Sequence, residues 1–387
     1  MRCPERAFSA AATVIRKDRG DYTGSNMKPL QFIFVHGLCG WGSYDPVYRQ
    51  MPYWGMRGGD LIVRLNEAGF ESYAASVAPT GSAWDRACEL YAQLAGVRTD
   101  YGVSHSARMG HERFGPDFTG RPLIPDFGPS SRLVLLGHSF GGATVRLFSE
   151  LLAHGDRQEQ QETAAGDLSP LFAGGGENRL YALVALASPM NGTTAYDLFD
   201  DPSFDAKSIK VPWWSKSLAA MMAWGTSPRQ DGRDARDYAD YDMHLDAARE
   251  MNARLPELPG VIYVSVPCCF TETQPDGTQL PRRGMEPLFV RRSTQIGAYT
   301  GVTRGGMIIG EEWRANDGLV NTLSAEAPLG SLRRAYDAEN LEAGVWNVQP
   351  PVDGDHMFLQ GGLTKKHSVF AFYRCLLEQI ERSYTTH

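Results

Sequence analysis

Short, nearly continuous apolar runs, separated by polar and glycine-rich stretches, set the rhythm of this chain. Gln31-Phe32-Ile33-Phe34-Val35 is the first, rich in strand formers and ended by His36-Gly37-Leu38, where the chain must turn. Arg132-Leu133-Val134-Leu135-Leu136 repeats the pattern and runs into Gly137, and Leu180 to Ala187 and Val261 to Val266 repeat it again. Runs of this length without polar alternation describe strands covered on both faces, as in a parallel sheet. Helical period follows at Leu61 to Leu65 and at Val145, Phe148 and Leu152. Strands separated by helices predict an α/β fold: a mostly parallel central sheet flanked by helices on both faces. From Gly40 to Gly59, glycines mix with Trp41, Tyr44, Tyr48, Tyr53 and Trp54, which predicts a long ordered loop. Between Thr194 and Asp240 no further buried strand is read, and Asp, Trp and Met gather around Val211-Pro212-Trp213-Trp214, so residues 194–240 read as an inserted cap.

Composition narrows this picture. The 387 residues carry 42% hydrophobic content, 41 Gly and 23 Pro, which suits a large loop-rich domain, and no linker or repeat divides them. Residues 29–387 are therefore expected to form one domain, with residues 1–28 a poorly ordered extension. A net charge of −7 with scattered basic residues argues against nucleic acid as a partner. Apolar runs such as Leu180 to Ala187 are too short to span a bilayer, so no transmembrane segment is expected. Residues 1–25 hold no apolar core of signal-peptide quality, Met27 is an alternative start, and localisation stays open. Six cysteines in a chain of this length do not make a disulfide framework.

The chemistry enters at Gly137-His138-Ser139-Phe140-Gly141. A Gly-x-Ser-x-Gly string is common, but this one sits between a buried strand and an amphipathic helix. That is the setting of the strained strand-turn-helix elbow that presents a nucleophile in α/β-hydrolases. Serine needs a base and the base needs a carboxylate, in the chain order Ser, Asp, His. His356 and His367 lie late enough; His356, in Asp353-Gly354-Asp355-His356, occupies the more suitable turn-rich loop. Asp317, Asp337, Asp353 and Asp355 are candidate acids, of which Asp317 in Asn316-Asp317-Gly318-Leu319-Val320 is preferred, since Asp353 and Asp355 read as local turn residues. Backbone N–H groups of Phe140 and of Leu38, after His36-Gly37, are the candidate oxyanion donors.

These motifs, with Trp84-Asp85-Arg86-Ala87-Cys88-Glu89-Leu90-Tyr91, Leu168-Ser169-Pro170-Leu171-Phe172, Asn316-Asp317-Gly318-Leu319-Val320-Asn321-Thr322 and Gly344-Val345-Trp346-Asn347, resemble the thermoalkaliphilic Bacillus lipases and their staphylococcal relatives. The resemblance runs from about Phe32 to the C-terminal helix. It implies an α/β-hydrolase acting on carboxylic esters of lipids, with Ser139, Asp317 and His356 as triad. It also implies a structural zinc in a small extra subdomain, with Asp60, His105, His111 and Asp242 as matching ligands, drawing on Asp60, the 100–115 loop and Asp242. Imidazole and carboxylate in a closed four-ligand shell suit a structural zinc.

Two departures shape the expectation. Where the family binds calcium after the catalytic histidine, this chain reads Met357-Phe358-Leu359-Gln360-Gly361-Gly362-Leu363, without a carboxylate, so no calcium is expected. The cap is short, which resembles the polyester-hydrolysing branch of the family, and its Trp213, Trp214, Leu218, Met221 and Met222 read either as a substrate or lipid–water contact, the preferred expectation, or as a cap helix packed permanently on the body. A lipase or esterase is thus expected, with a polyesterase or short-chain carboxylesterase as alternative and a non-catalytic binding protein of the same fold as the remote one.

Overall fold

The computed structural model describes residues 28–205, 208–210, 232–364 and 366–386. Seven strands form one all-parallel sheet: β1 (Gln31–Val35), β2 (Glu71–Ala75), β3 (Leu133–His138), β4 (Leu180–Leu186), β5 (Ile262–Val266), β6 (Arg333–Ala335) and β7 (Trp346–Val348), in the order β6-β7-β5-β4-β3-β1-β2. The four strands read from apolar runs are present, and β2, β6 and β7, which are short or polar, join them at the edges. This is the α/β-hydrolase architecture.

Alternation within each strand divides the interior in two. Ile33, Val35, Leu133 and Leu135 face α2 (Ala83–Ala95) and α4 (Gly141–His154), packing with Leu90, Leu94, Val145 and Phe148. Phe32, Phe34, Val134 and Leu136 face α1 (Leu61–Glu67) and the C-terminal α8 (Phe370–Thr386), packing with Leu65, Tyr373, Leu376 and Ile380. Both faces are dry, which is why these strands carry no polar alternation. Each fully buried side chain of this size contributes about 1.5–3 kcal/mol.

Register positions the site. Val35 of β1 and Ala185 of β4 both pair with Gly137 of β3, so the segments leaving these strands emerge together at the carboxyl end of the sheet. Because β1 continues to β2 on one side and β3 continues to β4 on the other, the connections part here, at a topological switch point of the sheet. Among the described residues no helix is long and apolar enough to cross a membrane, and no disulfide joins two of the five described cysteines.

Candidate active site and metal group

Ser139 sits one residue beyond β3 with φ of +54°, a left-handed conformation rarely held by a non-glycine residue. The turn is tight enough to exclude side chains on either side. A Cβ on Gly137 would lie 2.4 Å from the Gly141 carbonyl oxygen, and one on Gly141 would lie 2.4 Å from that of Val35. The strain is held by the Ser139 N–H donating to Leu186 and by the Gly142 N–H donating to the Ser139 carbonyl, both at 2.9 Å.

The Ser139 Oγ lies 2.9 Å from His356 Nε2, and His356 Nδ1 lies 2.8 Å from Asp317 Oδ2. Ser139 is 7% exposed, His356 3% and Asp317 1%. Asp317 is fixed by its own turn: Oδ1 accepts the N–H groups of Leu319 and Val320, leaving Oδ2 for the imidazole. The base is held in turn by its N–H on the Asp317 carbonyl at 2.8 Å and by Phe289 of α7 (Pro287–Ala298) edge-on to its ring. His367, the other late histidine, instead places Nε2 at 2.6 Å from the Phe358 carbonyl.

The loop after β1 presses against this elbow. A Cβ on Gly37 would come 2.7 Å from that of Ser139. Beneath the loop lies Arg86 of α2, fully buried. Its guanidinium donates to the carbonyls of His36, Gly37 and Ala78 and to Thr144 Oγ1. His36 donates from Nδ1 to the Gly37 carbonyl at 2.8 Å and accepts the Val77 N–H at Nε2, and burial beside Arg86 lowers its pKa to about 3. The N–H groups of Gly37, Cys39 and Gly40 have partners in Tyr53, Pro79 and Gly37, whereas those of Leu38 and Phe140 have no partner among the described residues.

A second cluster lies at the start of α2. Asp85, His105, His111 and Asp237 each offer an atom within 4.8 Å of the others. His105 Nε2 is 3.4 Å from Asp85 Oδ1 and 3.3 Å from Asp237 Oδ1; His111 Nε2 is 3.7 Å and 3.3 Å from Asp85 Oδ1 and Asp237 Oδ2. Tetrahedral ligands about 2 Å from an ion stand roughly 3.3 Å apart, so the spacing fits one. Asp85 Oδ1 and His111 Nε2 are buried without a hydrogen bond, and His111 Nδ1 is turned to the Glu112 carbonyl, which leaves Nε2 as a lone-pair donor aimed inward. The His105 ring stacks on Trp84, its backbone N–H is held by Glu159 of α5 (Arg157–Glu162), and Arg233 pairs with both aspartates.

The lipase-like C-terminal domain family matches residues 26–209. Lipase 2 of Staphylococcus aureus is 29% identical, covering 92% of this chain and 54% of its own length, and the lipase of Staphylococcus hyicus is 31% identical, covering 91% and 57%. The crystal structure of Staphylococcus hyicus lipase superposes with a TM-score of 0.75 at 29% identity, covering 94% of this chain and 99% of that one. Over nearly its whole length the chain is similar to the staphylococcal lipases. EstA from Clostridium botulinum is also similar, with a TM-score of 0.77 at 26% identity, covering 92% and 87%. The chain spans about half the length of the curated relatives it matches.

The sequence-based metal set needs correction. His105 and His111 do meet, but with Asp85 and Asp237 and not with Asp60 and Asp242. Asp60 caps α1, with Oδ1 accepting the N–H groups of Ile62 and Val63 and the hydroxyl of Tyr48. Asp242 accepts the Ala83 N–H at 2.8 Å, and burial raises its pKa to about 7. Both carboxylates are committed to helix starts. Asp85 was hidden because it stands three residues after the capping Ser82, where an acidic residue normally reads as part of a cap. Its neighbours Trp84 and Arg86, also missed, are the stacking partner of His105 and the cation under the loop after β1. Trp213, Trp214, Leu218, Met221 and Met222 lie outside the described residues, as does the 1–27 stretch of the N-terminal extension.

Proposed function

We propose that the protein is a serine carboxylic-ester hydrolase of lipase type. The observation that carries this is the hydrogen-bonded line from Ser139 Oγ through His356 to Asp317, on a strained elbow at the carboxyl end of a parallel sheet, in a chain related to lipases. His356 takes the Ser139 proton as Oγ attacks the ester carbonyl, and the imidazolium that forms faces the Asp317 carboxylate. The N–H groups of Leu38 and Phe140 receive the developing oxyanion. His356 then gives its proton to the departing alcohol, and a water it activates cleaves the acyl-enzyme in the same way.

The four-ligand group would hold a zinc ion, with Asp85, His105, His111 and Asp237 closing the shell. An ion so enclosed supplies stability rather than a reactive water. Trp213, Trp214, Leu218, Met221 and Met222 are read as the apolar contact for a lipid or polymer. Ser139→Ala should abolish hydrolysis of a p-nitrophenyl ester, and a retained wild-type rate would end the proposal. Rates on tributyrin, a long-chain triglyceride emulsion and a polyester film then assign the substrate class: preference for the emulsion supports the lipase, preference for the film or for tributyrin the polyesterase or short-chain alternative.

A further inference from the structure

His138, the residue between Gly137 and the nucleophile, is buried and has no part in the proton path described above. Its ring nitrogens are nevertheless both engaged. Nδ1 lies 2.6 Å from the Tyr53 hydroxyl, and Nε2 lies 3.0 Å from the main-chain carbonyl of His356. The Gly37 N–H donates to the same Tyr53 oxygen at 3.1 Å. Hydrogen-bond directions follow without choice. A carbonyl only accepts, so Nε2 carries the proton. Nδ1 therefore accepts, and the Tyr53 hydroxyl donates to it while receiving the Gly37 N–H. A continuous line thus runs from the loop that contains Leu38, through Tyr53 and His138, to the backbone of the base.

Resting on the reading of Ser139 and His356 given above, we propose that His138 is a positioning residue that, as the Nε2-protonated tautomer, locks the base-bearing loop and the oxyanion loop to the nucleophile's own turn. The His356 peptide units are then held on both sides, the N–H by Asp317 and the carbonyl by His138, so the ring that meets Ser139 Oγ at 2.9 Å is placed by the residue that precedes Ser139 in the sequence. A second proton on His138 would set two donors against each other at Tyr53. Burial opposes that proton as well, holding the His138 pKa well below the ordinary histidine value. The rings of His138 and His356 lie 4.9 Å apart, so the first must stay uncharged for the second to accept a proton freely.

Three variants separate positioning from packing. An Asn amide oxygen stands where Nδ1 does and an amide of Gln stands where Nε2 does, so His138→Asn keeps the Tyr53 contact and loses His356, whereas His138→Gln keeps His356. Tyr53→Phe cuts the line at the oxyanion loop. On a soluble p-nitrophenyl ester, H138N should lower kcat about a hundredfold with KM little changed, the scale of a misplaced catalytic group. H138Q should recover at least tenfold of that loss. Y53F should lower kcat, and its effect should not add to that of H138N. Equal losses in H138N and H138Q, a loss carried by KM, or no loss would overturn the proposal. If H138N fails to fold by circular dichroism, the comparison of H138Q with Y53F carries the test. Ring-nitrogen NMR of the substrate-free protein, assigned with H138Q, should give His138 as a neutral Nε2–H imidazole from pH 5 to 9; protonation in that range would overturn the proposal. The NMR result stands even if wild-type protein hydrolyses no ester, so the two readings fail separately.

Discussion

Stripping the ion from the Asp85, His105, His111 and Asp237 group should destabilise the whole chain, because its ligands come from three segments: the first turn of α2, the region of α3 (Val103–Met109) with the turn after it, and the short turn Ala235–Asp237. Without an ion, two carboxylates of 2% and 0% side-chain exposure are left with Arg233, the two imidazoles and, for Asp237, the Ser82 hydroxyl as partners. An ion held about a thousandfold below its working concentration stabilises the fold by about 4 kcal/mol. Unfolding entropy of about 2.1 cal/mol/K per residue gives roughly 0.8 kcal/mol/K for a chain of this length, so chelation should lower Tm by about 5 °C. Scanning calorimetry before and after dialysis against a strong chelator measures the shift, and elemental analysis measures stoichiometry. Asp85→Asn and Asp237→Asn should lose the metal; Asp60→Asn and Asp242→Asn should keep it, although Asp60→Asn weakens a helix cap. The reasoning is refuted if untreated protein holds no metal, if chelation leaves Tm unmoved, or if the second pair of variants loses the ion and the first pair keeps it.

Asp317→Asn retains an oxygen for the Leu319 and Val320 N–H groups but sets an amide against His356 Nδ1, favouring the wrong tautomer; kcat on a p-nitrophenyl ester should fall about 10⁴-fold, and a loss under tenfold would exclude Asp317 as the acid. His36 is lowered to about 3 in the folded chain against 6.5 unfolded, so between these values the unfolded chain binds the extra proton. Its contribution is complete above pH 6.5 and is lost as pH falls toward 3. In urea titrations between pH 6 and 4, His36→Gln should flatten the fall in stability by about 1.4 kcal/mol per pH unit, and an unchanged slope would contradict the assignment. Gly141→Ala pushes a methyl against the Val35 and His36 carbonyls at 2.4 and 2.8 Å and should cost about 1–3 kcal/mol or more by urea unfolding, with Ser139 labelling by a fluorophosphonate slowed; a neutral outcome would mean the elbow is looser than described.

What could be read directly from the chain was whatever depends on local pattern. Phe32 to Val35 and Leu133 to Leu136 announce themselves because both faces of those strands are dry. Arg333–Ala335 does not, because it is a three-residue edge strand with two charged side chains. The candidates Ser139, Asp317 and His356, which the structure brings into one hydrogen-bonded line, could be named from the sequence because each proposed role asks for a local feature: glycines around a strained turn, a polar turn that holds an acid, a loop that delivers a histidine. The acidic half of the metal group was not. Asp60, Asp85, Asp237 and Asp242 all sit at or near helix starts, and only packing decides which carboxylates turn toward the imidazoles and which toward backbone N–H groups. Arg86 and His138 were hidden for a related reason, since a buried arginine and a histidine with carbonyl partners acquire their roles from segments far away in sequence.

The guanidinium of Arg86 has one more consequence. Peptide units are planar, and the chain has no cis peptide bonds among the described residues, so the direction of a carbonyl fixes that of the N–H across the same bond. The Gly37 carbonyl is turned inward to Arg86 and His36, and the N–H of Leu38, which shares that peptide, must therefore point outward. Rotating this unit would cost the Gly37 carbonyl its contacts with Arg86, with His36 and with the Gly40 N–H, so the direction of the Leu38 amide is held by the fold. On the reading proposed above, the Leu38 donor is therefore placed by the packing of α2 under the loop after β1 and asks for no rearrangement of that peptide.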